Sequence, residues 1–154
     1  MSKEVILMMH PTFGVLGLIA AVWAFVEVLN ASGTNGGRIR MAGVLTAVLI
    51  WLAYVVGGYF YVQFYSADKA LILEGPWTYS HSFFMETKEH AFFMLLLLAT
   101  FLALAVQGDV SKSAAARKLA LYTSGLVVLL IFAMDGAGAM ISMGVKVALL
   151  AKQV

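Results

Sequence analysis

Of the three histidines, His10 and His90 each begin a long apolar run and His81 stands at the start of a helix, while the carboxylates Glu86 and Asp135 lie within segments that are otherwise mostly apolar. Ionisable groups in such surroundings are costly, and they mark ligand, cofactor or proton sites more often than the same groups do in soluble cores. Two chemistries suit this set. An imidazole ligates haem iron through one ring nitrogen while the other donates to a carbonyl or carboxylate that fixes the tautomer. The same side chain takes up and releases protons near neutral pH. The absence of cysteine excludes disulfides, thiolate-bound zinc, iron–sulfur clusters and covalent c-type haem attachment, so any metal chemistry must use His, Met or carboxylates.

The elements that position these groups follow from composition. The chain has 154 residues, of which 62% are hydrophobic and only 12% charged, against about 25% charge in a soluble domain. Its mean hydropathy is +0.93. An apolar excess of this size cannot be hidden inside so small a globule, which excludes a water-soluble fold. Four stretches, about 5–30, 41–66, 82–107 and 115–151, reach the roughly 20 apolar residues a spanning helix needs. The sequence therefore predicts an all-α fold: an integral membrane four-helix up-and-down bundle forming a single domain over 1–154. The segments 31–40 and 108–112 read as short turns rich in turn formers. The connection 66–81 carries Asp68, Lys69, Glu74, Pro76, Trp77 and Tyr79 and reads as a longer surface loop at the membrane interface. A net charge of +2 with no basic run excludes a nucleic-acid partner.

Loop charge predicts the orientation. Arg38, Arg40 and Arg117, all the arginines of the chain, lie with Lys112 and Lys118 on the two short connections, which the positive-inside rule places in the cytoplasm. Both termini and the long connection then lie outside, in the inner (cytoplasmic) membrane of a cell. The first segment reads as a retained membrane helix and not as a cleaved signal, because Leu29-Asn30-Ala31 is a poor cleavage site and the only early cation, Lys3, is offset by Glu4.

Counting from the short-loop end of each helix places His10, Gly57, Gly58, His90, Asp135, Gly136 and Gly138 about 16 to 20 residues in, within about 6 Å of one another along the bundle. With Gly14 and Gly17, these glycines would clear space beside two histidines. That space suits one haem b, with His10 and His90 as axial ligands. His81 is the rival partner, nine residues before His90 and half a turn away on a continuous helix. Glu86, Asp135 and His81 are candidates for proton or quinol handling, and Met140 or Met143 for an alternative axial sulfur. The competing reading is plain packing, since small residues are common wherever membrane helices approach closely. Glu27, at the other end of the first helix, reads as a carboxylate close to Arg38 or Arg40.

His10-Pro11-Thr12, with Gly17 further along and Glu27 near the far end of the helix, resembles the His-Pro opening of a haem-bearing helix in the cytochrome b561 family. The resemblance implies a four-helix core in which His10 pairs across the bundle with a histidine of the third helix. The segment Ser80-His81-Ser82-Phe83-Phe84 is similar to the family's motif around that histidine and points to His81, whereas depth points to His90. The family's second haem, held between the second and fourth helices, has no counterpart, because neither helix contains a histidine here.

These readings give three expectations of function. The first is a small b-type cytochrome that moves electrons between a membrane quinol pool and an extracytoplasmic redox partner, as a subunit or anchor of a larger assembly with other redox subunits. The second is a non-haem site for copper or a divalent ion, built from His10, Glu86, His90 and Asp135. The third is a structural or assembly subunit whose polar residues hold helices together.

Overall fold

The structure, a computed structural model, describes residues 2–153. Four helices run through it: α1 Lys3–Leu29, α2 Gly36–Glu74, α3 Glu86–Ala105 and α4 Ala114–Ala151. A π-helical turn, Ser80–Met85, leads directly into α3. No strand occurs among the described residues. All four helices are long and apolar enough to cross a membrane, as in a multi-pass membrane protein.

The pattern of exposure is that of a bundle in lipid. Large apolar side chains point outward all round, Leu97, Leu104, Tyr122, Leu129 and Phe132 among them, and a helix that is apolar on every face suits a bilayer. The interior is built instead from small residues. Gly14, Gly17, Ala20, Ala21 and Ala24 line the inner face of α1, and Ala42, Gly43, Thr46, Ala47 and Ala53 that of α2. This lets the two backbones approach closely. A Cβ on Gly17, for example, would lie 2.8 Å from Ile50 Cδ1.

Each of α1 and α3 packs against both α2 and α4, and among the described residues no Cα atom of α1 lies within 8 Å of one of α3. They are therefore the far corners of the bundle, while α2 and α4 touch across its short diagonal. The short-loop ends are closed by specific bonds. The Arg38 Nε donates to Glu27 Oε1 at 2.8 Å, the partner expected from the sequence. The Arg117 guanidinium donates to the Leu29 carbonyl, a cation at a helix C-terminus.

The other end differs from the sequence expectation. α2 does not stop near residue 66 but continues to Glu74, so that only Gly75–Tyr79 connects it to the π turn. At 39 and 38 residues, α2 and α4 are each roughly 57 Å long, against about 30 Å of bilayer hydrocarbon. Asp68, Lys69 and Glu74 interrupt the apolar run, which gives residues 66–74 the look of a loop in the sequence. Two of these have partners that hold them on the helix: Lys3 Nζ pairs with Asp68 at 2.8 Å and Lys152 Nζ with Glu74 at 2.7 Å. Tyr65 and Ile72 of the extension pack with Ile141, Phe60, Phe84, Met85 and Val145 into a core of their own.

Candidate functional site: a lateral cavity at His10

A cavity of about 550 Å³ lies where the compact lower bundle gives way to this extension, a size ordinary for a small-molecule or cofactor site. Tyr54, Phe60, Tyr61, Phe92 and Phe93 give it aromatic walls, with His10, Lys88, Glu89, Tyr65 and the Lys3–Asp68 pair as its polar groups. Val62 and Phe93, both lining it, are 74% and 59% exposed on the outer surface. The cavity therefore opens sideways between α2 and α3, towards the bilayer.

His10 is the most closely fitted of its polar groups. Its ring lies on the backbone of α2 at Gly57, where a Cβ would come within 2.5 Å of Nδ1. One turn earlier the Ala53 carbonyl accepts a hydrogen bond from Nδ1 at 2.8 Å. With the Nδ1 proton committed to that carbonyl, Nε2 carries the lone pair, and it has no hydrogen-bond partner among the described residues. This is how proteins prepare a ligating imidazole. Gly58, also in the lining, would meet nothing within 4 Å if it bore a Cβ, so the wall beside His10 is free of side chains.

The rest of the expected site is distributed differently. His90 is exposed on the outer surface of α3, its Nδ1 bonded to the Glu86 carbonyl at 2.7 Å, and it does not line the cavity. Glu86 is exposed on the same side. His81 is buried, with Nδ1 3.0 Å from the Tyr65 hydroxyl. Asp135 does not line the cavity, and its Oδ1 is 3.1 Å from where a Cβ on Gly14 would be. Gly136 faces open space, whereas Gly138 lines the cavity. Matched depth thus brought together His10, Gly57, Gly58 and Gly138 but not His90, because depth says nothing about which way a side chain points.

The residue that α3 sends inward is Lys88. Its Nζ lies 2.9 Å from where a Cβ on Gly138 would be, within Coulombic range of Asp135 and of His10. Among the described residues no nitrogen–oxygen contact of 4.0 Å or less joins Lys88 to Asp135. Depth along the helices does not select Lys88. A seven-residue step identifies it: His81, Lys88, Leu95 and Leu102 follow one another at that spacing, and the two leucines are 2% and 0% exposed. Phe83, His90, Leu97 and Leu104 form the parallel series on the outside.

The donor set decides what the site accommodates. His10, Glu86, His90 and Asp135 do not converge, and among the described residues no three His, Cys, Asp or Glu side chains form a metal-holding group. A haem held by two histidines is not provided for, since only one of the three lines the cavity. A haem held by the single imidazole of His10 would fit the ring seated on Gly57, the open wall at Gly58 and the aromatic faces around them. No family model matches the chain, and neither a curated protein nor a solved structure does.

Proposed function

We propose that the protein is a membrane electron-transfer protein that holds one haem b through His10, and that it passes electrons between a quinol and a redox partner on the outer side. When bound, the haem supplies one-electron chemistry. The chain orients it with His10, surrounds it with Tyr54, Tyr61 and Phe92 and keeps Lys88 as a cation close by. The observation that carries this reading is the His10 imidazole, fixed at Nδ1 by the Ala53 carbonyl with Nε2 unpartnered in the wall of a 550 Å³ cavity. The resemblance of His10-Pro11-Thr12 to the b561 opening points the same way. Arg38, Arg40 and Arg117 at the short-loop end support an inner-membrane orientation with both termini outside.

A second reading is favoured by the sideways opening at Val62 and Phe93: the quinone itself occupies the cavity, with its head group at His10 and Lys88. One preparation distinguishes the two. Protein purified from haem-sufficient cells should show a Soret band and, after dithionite, a sharp α band. Both should disappear in His10→Ala and persist in His90→Ala. A folded, colourless protein from which solvent extracts a quinone would replace the first reading by the second.

A further inference from the structure

Tyr65 and His81 form a buried pair for which packing gives no reason. They are 3% and 5% exposed, and the Tyr65 hydroxyl lies 3.0 Å from His81 Nδ1. An apolar pair of similar size would fill the same space without burying polar atoms. The π turn fixes His81 there. The Glu86 N–H bonds to the His81 carbonyl five residues back, a widened turn of the kind that recurs at functional sites. Next to it, Ser80 is pressed against α4 so closely that a Cβ on Gly144 would meet its Oγ at 2.6 Å. On its other side Tyr65 lines the cavity and stacks on Tyr61 with ring centroids 5.3 Å apart. The pair therefore runs from the cavity wall to the short connection Gly75–Tyr79 at the outer end of the bundle.

A phenol hydroxyl both donates and accepts, so this contact survives a change of protonation. The Tyr65 O–H donates to Nδ1 of neutral His81, and Nδ1–H of a protonated His81 donates to the Tyr65 oxygen. We propose that His81, held by Tyr65, takes up one proton from the outer aqueous side for each electron gained in the cavity, and gives it back when that electron leaves. The electron comes from a quinol, which releases one of its own protons to the outer aqueous side with each electron it loses, and His81 takes its proton from that side; electron and proton both depart on oxidation by the redox partner, so charge balances at each step. An added electron at a poorly solvated site favours a compensating proton nearby. The other titratable groups facing the pair are Tyr61 and Asp68 of α2, the latter engaged by Lys3 of α1, and Glu89 of α3. On α4, Ile141, Gly144 and Val145 pack there.

This inference rests on the haem reading, and the test separates the two. The midpoint potential of the haem-loaded full chain is measured in lipid nanodiscs from pH 5 to 8, the range in which imidazoles titrate. It should fall as pH rises, approaching about 59 mV for each tenfold drop in proton activity. His81→Gln and Tyr65→Phe should flatten that slope and leave the absorption spectrum unchanged. A colourless protein overturns the haem reading and this inference with it. A coloured protein whose potential does not vary with pH, or whose slope survives in His81→Gln, overturns the inference alone. Should either variant fail to fold, an indicator dye reads the protons taken up by the wild-type chain on reduction: near one per electron supports the pair, near none overturns it.

Discussion

His10 rests so closely on Gly57 that a Cβ at that position would lie 2.5 Å from Nδ1 and 2.6 Å from Cε1. The obstacle would be a rigid ring already bonded to the Ala53 carbonyl, so it cannot give way by a small rotation. Gly57→Ala should therefore either separate α1 from α2 or turn the imidazole out of its seat, at a cost of about 1–3 kcal/mol. The expected result is loss of most bound haem together with a lowered unfolding midpoint. Gly136→Ala, whose Cβ would meet nothing within 4 Å and which lies outside the cavity lining, should match the wild type in both. Haem-to-protein ratios and thermal unfolding of the two variants check this, and equal haem content would refute the seat described for His10.

Lys88 and Asp135 are two opposite charges inside an apolar bundle, each set against a glycine of another helix, Gly138 and Gly14. Removing one partner leaves the other without a counter-charge where water is scarce, which costs more than the pair contributes while intact. Lys88→Met is expected to destabilise the bundle by about 1–3 kcal/mol, and Asp135→Asn in the same chain should recover much of that loss. A double-mutant cycle should give a coupling of about 0.5–3 kcal/mol. Strict additivity of the two substitutions would mean that the charges are separately solvated.

The four helices were legible because an apolar run of about 20 residues in a chain this poor in charge has few alternatives. Their far ends were not. Asp68 and Glu74 look like loop residues until Lys3 and Lys152, 65 and 78 positions away in the chain, are seen to pair with them. Depth along the helices was also legible and placed His10, Gly57, Gly58 and Gly138 around one cavity. Rotation was the missing coordinate. Residues 88 and 90 differ by about 200° around a helix, enough to exchange an outward histidine for an inward lysine. The buried series through Leu95 and Leu102 held that information. Hydrophobicity alone does not mark that inner face, because α3 is apolar on both sides.

Asp109, in the turn between α3 and α4, is held down to about 2 from its ordinary 3.8 by hydrogen bonds from Ser111 and Lys112. A carboxylate with a lowered pKa stabilises its surroundings above the unfolded value, and that contribution is lost as pH falls through the folded one. The turn should thus keep its structure down to about pH 4 and loosen between there and about pH 2. Amide hydrogen exchange at Lys112 and Ser113, both of which bond to the Asp109 carbonyl, should accelerate over that window in the wild type. In Asp109→Asn the acceleration over this window should be absent.

Asn35 links the α1–α2 turn to the end of α1 through one buried side chain, 3% exposed. Its Oδ1 accepts from the Ser32 N–H at 2.9 Å, while Nδ2 donates to the Glu27 carboxylate at 2.8 Å and to the Glu27 carbonyl at 3.0 Å. An amide is the one side chain of this size that both donates and accepts here. Asn35→Ala should cost about 1–3 kcal/mol by leaving those groups unpaired. Asn35→Asp should cost more at neutral pH, because it sets a second carboxylate against Glu27 where a donor is needed. Its loss should shrink in mild acid, where a proton shared between the two carboxylates restores a hydrogen bond. Thermal unfolding of both variants at pH 7 and pH 5 tests this, and an aspartate variant as stable as the wild type at pH 7 would show that Glu27 is satisfied by Arg38 alone.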